Sequence, residues 1–267
     1  MTAFDKALEY DPADVSALRF QSVAAENMGN YEEAIEIYDR MIAINSSDTE
    51  AMLGKASVYE NLGNFDSAFT TYDQVLVLLP NDTMVMNRKG FSYYLEGDMG
   101  SASAMFEKAA SVDPNNMASW YHLGTMAYIR SSYKGAISYY DRALAIDPYC
   151  ITAWYNKGFI LNIMGDVEGA IQCYDSALAI DPESPSALYN KQFAHYRIGE
   201  TSEGEAAKAK LDAIDPGFAD ALEDRGTRFF VPEEYSEILD YELPTRWYND
   251  TQAASAETPS KSLSAAD

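Results

Sequence analysis

The chain has 267 residues, with Lys+Arg 19 against Asp+Glu 42 and a formal net charge of −23, a balance that excludes nucleic acid and anionic membrane as partners because phosphate would be repelled. Hydrophobic residues at 47% and charged residues at 23% exclude general disorder. Two cysteines, Cys150 and Cys173, are too few for a disulfide framework and lack the spacing of a zinc site, no apolar run reaches membrane-span length, and the start lacks a secretory apolar stretch, so a soluble cytoplasmic chain with no metal and no cofactor is expected.

In chain order, Thr2 to Tyr10 reads as a lone second helix of a hairpin, with Phe4 and Ala7 on its apolar face. The chain is therefore expected to begin in mid-repeat (a half repeat over 1–14), as a piece of a longer protein does, and to leave that face uncovered for possible self-association. A repeat then begins. Pro12, Pro80, Pro114, Pro148, Pro182 and Pro216 lie on one 34-residue grid, with Ser46 in its one gap. Proline there ends a helix, since it lacks the donor and clashes with the preceding turn. Ala34, Ala68, Ala102, Ala136 and Ala170, then Gly204, form a column of small residues that lets helices approach closely. Four residues on stand Tyr38, Tyr72, Phe106, Tyr140 and Tyr174, on the same helix face and hence in the core. Gly29, Gly63, Gly97, Gly165 and Gly199 separate the halves, and Asn30, Asn64, Asp98 and Asp166 follow as caps for the next helix.

Each period thus reads helix, tight turn, helix, proline stop. It resembles the tetratricopeptide repeat, on Trp120, Leu123, Gly124, Ala136, Tyr140 and Pro148 in one period and Trp154, Gly158, Ala170, Tyr174 and Pro182 in the next. The expected fold is all-α, an alpha-alpha superhelix of antiparallel helix pairs, with repeats over 15–48, 49–82, 83–116, 117–150, 151–184 and 185–218. Two repeats depart from the pattern. The first has Leu18 and Ser22 in place of the family tryptophan and glycine, and the sixth has Gln192, Gly204 and Lys208 at places for small, small and aromatic residues, so its second helix is expected to pack loosely. Residues 219–248 read as a capping helix with an extension, and 249–267 as an Ala/Ser/Thr-rich disordered tail.

The resemblance implies that the first helices line a concave groove. One stripe of these helices, Leu18, Met52, Met86, Trp120, Trp154 and Leu188, is explained by packing. A second stripe carries Asn87, Phe91 and Tyr94; Tyr121, Thr125 and Tyr128; Tyr155, Phe159 and Asn162; Tyr189, Phe193 and Tyr196, each set spaced i, i+4, i+7 on one face. The stretches 83–95, 117–129, 151–164 and 185–198 hold no Asp or Glu, while Arg88, Lys89, His122, Lys157, Lys191, His195 and Arg197 fall within them. An aromatic, mildly basic wall of this kind suits an apolar peptide with local acidic character, the rings supplying area, Asn156 and Asn190 pairing with its backbone, and Arg88 and Arg197 gripping carboxylates. Each feature also has a plainer reading: the rings as packing between neighbouring first helices, His195 as a packed core histidine, and the Lys55, Lys89, Lys157 and Lys191 column as stems laid over apolar surface.

The family's carboxylate-clamp co-chaperones grip a C-terminal carboxylate with Lys, Asn, Asn, Lys and Arg. Asn156 and Asn190 match parts of that clamp, but Ser186 and Asn190 stand where its Lys and Arg belong, so the clamp is not reproduced. A protein-interaction scaffold is the leading expectation. The alternatives are self-association or tail inhibition through Tyr241, Leu243, Trp247 and Tyr248, and an interaction part of a longer enzyme or co-chaperone. No catalytic array is evident, since no phosphate loop or paired metal-ligand motif is present and no nucleophile is set against either of the two histidines.

Overall fold

The computed structural model describes residues 3–217. The expected capping helix, the extension and the tail lie outside the described residues, as do Tyr241, Leu243, Trp247 and Tyr248. Among the described residues α1 (Ala3–Tyr10) is followed by six helix pairs: α2 (Val15–Asn27) with α3 (Tyr31–Ile44), α4 (Thr49–Asn61) with α5 (Phe65–Leu78), α6 (Thr83–Glu96) with α7 (Met99–Val112), α8 (Met117–Ile129) with α9 (Tyr133–Ile146), α10 (Ile151–Met164) with α11 (Val167–Ile180), and α12 (Pro185–Arg197) with α13 (Thr201–Ile214).

Caps set the starts. Asp14, Asp48, Asp82 and Asn116 accept backbone N–H groups from the first turns of α2, α4, α6 and α8, and Asn64, Asp98 and Asp166 do the same for α5, α7 and α11. Asn30 departs from expectation, because its amide donates to Glu33 at 3.3 Å and leaves the N-cap bond unmade. The stops combine two effects. Asp147 is already extended after α9, as a residue before proline must be, and its carboxylate accepts the Tyr149 N–H at 2.9 Å.

The hairpin turns need a left-handed residue. Gly29, Gly63, Gly97, Gly165 and Gly199 supply it with φ between 68° and 96°. In the α8–α9 turn Ser131 holds φ 57° instead, at the cost of crowding its Cβ against the carbonyl.

Packing follows the columns. A Cβ on Gly90, Gly124 or Gly158 would sit 2.7–2.8 Å from the ring of Phe106, Tyr140 or Tyr174, so the glycine is the slot into which each ring fits. The rings of Phe106, Tyr140 and Tyr174 are essentially inaccessible, and burying each contributes roughly 1.5–3 kcal/mol. Trp120 and Trp154 tie the next layer, their indole N–H groups donating to the carbonyls of Pro114 (2.8 Å) and Pro148 (2.9 Å).

The last pair is not loose. Tyr196 of α12 lays its ring over Gly204 of α13 and donates to Glu205 at 2.9 Å, so the aromatic group comes from the first helix where Lys208 has replaced it on the second. Each of α3, α5, α7, α9 and α11 touches its own first helix and the first helix of the next pair, α13 touches α12, and α6 with α8 and α10 with α12 touch directly. The architecture is an all-α superhelix of antiparallel helix pairs.

Candidate interaction surface

Neighbouring first helices are locked together through residues of the expected wall. The Asn156 amide on α10 donates to the Tyr121 hydroxyl on α8 at 3.0 Å, and Asn190 on α12 donates to Tyr155 on α10 at 2.9 Å, each across 35 residues. Between α6 and α8 the same task falls to Asn87, which accepts from Ser119 at 3.1 Å and donates to Asn116 at 3.2 Å. Asn87, Phe91, Tyr121, His122, Thr125, Tyr155, Asn156 and Asn190 are consequently buried. Burial takes from these groups the direct ligand contacts that periodicity alone suggested for them. Thr125 shares a hydrogen bond with the Tyr140 hydroxyl at 3.2 Å, and His122 stacks on Phe106 with centroids 4.6 Å apart.

The other half of the wall reaches solvent. Arg88, Tyr94, Tyr128, Phe159, Asn162 and Tyr189 are half-buried, while Phe193 and Arg197 are exposed. Their rings adjoin: Tyr128 meets Phe159 edge-on at 6.2 Å, Tyr189 lies 4.7 Å from Phe193, and Phe193 meets Tyr196 at 6.3 Å. Ile129 and Ile163, 39% and 44% exposed, recur at one period as the residues that follow Tyr128 and Asn162. Their signal was an exposed apolar residue recurring at one period.

The wall is less basic than its composition implies. Lys55, Lys89 and Lys157 reach Asp39, Asp73 and Asp141 on the preceding second helix at 2.5–2.6 Å, and Lys191 pairs with Asp175 in the same way. The column thus clips one pair to the next, a role written on the same grid by the recurrence of those aspartates. Among the five junctions between the six described pairs only α7–α8 lacks the clip, with Leu123 and Glu107 at its two places. Complete burial pushes the His122 imidazole down to about 3, so it is neutral near pH 7. His195 is also buried, with Nδ1 2.7 Å from Glu200. Arg197 donates to the Asn162 carbonyl and side chain at 2.6 and 2.5 Å, leaving its remaining guanidinium donors toward solvent.

On α2 and α4 the positions equivalent to Tyr94 and Tyr128 are Glu26 and Glu60, which accept from Tyr38 and, at 3.0 Å, from Tyr72. Burial raises the Glu26 carboxyl above the usual range, its bond to Tyr38 opposing the shift. At this position carboxylates stop at α4, and the accessible aromatic strip begins with Tyr94 on α6.

Models of the tetratricopeptide repeat match residues 25–85 and 90–149, and a model described as TPR repeat matches 158–199. A comparison with curated proteins finds no match. Among solved structures, PilF of Pseudomonas aeruginosa aligns at 16% identity over 84% of this chain and 99% of its own, with a TM-score of 0.63. A chain of the APC/C hetero-tetramer Cut9–Hcn1 aligns at 14% identity over 90% of this chain and 45% of its own, with 0.59, and MamA at 24% over 62% and 96%, with 0.56. At these identities the likeness is one of fold.

Proposed function

The chain belongs to the tetratricopeptide repeat family, and on that premise we propose that it is a non-catalytic scaffold or adaptor that holds a peptide segment of another protein against the first helices α6, α8, α10 and α12. One observation carries the reading: the strip of accessible rings Tyr94, Tyr128, Phe159, Tyr189 and Phe193 runs through helices that contain no carboxylate within 83–95, 117–129, 151–164 and 185–198. The partner is an apolar segment with local acidic character. Its apolar side chains lie over the rings and over Ile129 and Ile163, and its carboxylates meet Arg88 and the free donors of Arg197. The buried amide–tyrosine bonds serve that surface at one remove, fixing the spacing of the helices on which the rings stand. No helix among the described residues is long and apolar enough to cross a membrane.

The test is affinity capture on the full chain, with captured proteins identified by mass spectrometry, comparing the parent with Tyr128→Ala/Phe159→Ala/Phe193→Ala. These rings are partly or largely accessible, so the triple variant is expected to stay folded by circular dichroism and to lose the specific partners. Partners retained at parental yield by the folded variant would overturn this placement.

A further inference from the structure

We infer that the corner between α5 and α6 is a second docking surface, shaped for a basic amphipathic segment of a partner protein and independent of the wall of first helices. The helical corners follow a rule. Asp11, Asn45, Asp113, Asp147, Asp181 and Asp215, all on the 34-residue grid, each accept the backbone N–H two residues on, at 2.9–3.1 Å. At the grid position between Asn45 and Asp113 stands Leu79, which cannot make that bond and is 42% exposed. The corner thus forgoes a local hydrogen bond that its equivalents make, and gains apolar surface in water.

One neighbour repeats the exchange. Val77 is 81% exposed where the equivalent residues are Ala43, Ser111, Ala145, Ala179 and Ala213, and Leu78 is 40% exposed. Val77, Leu78 and Leu79 thus present three consecutive aliphatic side chains to water at the end of α5 and its cap, and such surface is a mark of contact. Ile44 and Val112, one period to either side, are 46% and 39% exposed and continue the row.

Charge selects the occupant. Residues 56–87 contain no Lys or Arg, and Asp73 and Asp82 stand on either side of the aliphatic residues in the chain, Asp73 engaged by Lys89 and Asp82 capping α6 with one oxygen. An apolar corner in a stretch of chain that holds four acids and no base complements a helix bearing leucines on one face and lysines on the other. The same charge disfavours this chain's own residues 233–267, which carry eight acids against Arg246 and Lys261, and a second copy at −23.

Fluorescence anisotropy of the full chain tests the assignment with two labelled peptides of about eighteen residues, helix-patterned Leu/Lys and its Leu/Glu counterpart, at an ionic strength of about 0.15 M. The Leu/Lys peptide is expected to bind and the Leu/Glu peptide not. Leu79→Asn, the residue type present at 45, is expected to weaken binding about tenfold or more while melting at or above the parent temperature, because it regains the corner hydrogen bond. Leu79→Asp should weaken it too, although its added charge would strengthen a purely electrostatic attraction. Tyr128→Ala/Phe159→Ala should bind as the parent does. Equal binding by the parent and Leu79→Asn, or loss in Tyr128→Ala/Phe159→Ala alone, overturns the proposal, and so does a sedimentation dimer that Leu79→Asn dissolves, which would make a second copy the occupant.

Discussion

Pairs α2–α5 and pairs α6–α13 hold their tyrosines by different chemistry. In the first region the bonds stay inside one pair, from Tyr38 to Glu26 and from Tyr72 to Glu60, twelve residues apart. In the second, beside the within-pair bonds of Tyr140 with Thr125 and of Tyr196 with Glu205, further bonds cross between pairs, from Asn156 to Tyr121 and from Asn190 to Tyr155. A carboxylate on a first helix stabilises its own hairpin; an amide there joins consecutive hairpins and leaves the helix without negative charge. The difference shows how one scaffold can supply self-bonded hairpins in one region and first helices bonded to one another in the next by exchanging a few side chains.

The largest expected effect tests that contrast directly. Tyr121→Ala removes a fully buried ring and an inter-pair lock together and should destabilise by about 3–5 kcal/mol. Amide exchange should then quicken in α10 as well as α8, whereas Tyr38→Ala should speed exchange chiefly within α2 and α3. Exchange confined to α8 in the first variant would break the comparison.

Acid separates the regions next. The His122 imidazole is held far below its usual value, so its contribution to stability is present above pH about 6.5 and is lost as pH falls toward 3. Glu26 has the opposite sign, because a raised carboxyl favours the fold below its ordinary pKa and loses that contribution as pH rises through the shifted value. Between pH 7 and pH 5 the parent should lose about 2 kcal/mol more than His122→Gln in denaturant titrations. Parallel losses would remove the histidine from the account.

Hydroxyl deletion sharpens the picture at smaller scale. Tyr121→Phe strands the Asn156 amide in a buried site and should cost about 1–3 kcal/mol, while Tyr38→Phe frees a carboxylate that reaches water and should cost less than about 1 kcal/mol. The smallest effect is a gain: Ser131→Gly should add about 0.5–1 kcal/mol by relieving the only positive-φ non-glycine turn among the described residues. A lower melting temperature for that variant would show that Ser131 is held there by something other than turn geometry.

The helix pairs were legible because proline, glycine and alanine act locally, each fixing a stop, a turn or a close approach at its own position. Which face of a first helix is interior was not legible. Tyr121 and Tyr128 lie seven residues apart on one stripe, yet one is sealed by Asn156 of the next pair and the other stays accessible. The lysine column misled for a similar reason, since Lys89 meets Asp73 on another helix and a basic stretch of sequence becomes a neutral pair in space. Tyr196 shows the limit of column reading, because packing against Gly204 requires an aromatic ring and is indifferent to which helix supplies it.

The 35-residue reach of the amide–tyrosine locks has a consequence for biosynthesis. A tyrosine leaving the ribosome waits for only one further period before its partner emerges, so each hairpin can close onto the last while the remainder is still being translated. A chain joined in this way folds in the order it is made and keeps little unsatisfied surface exposed to misassembly during synthesis.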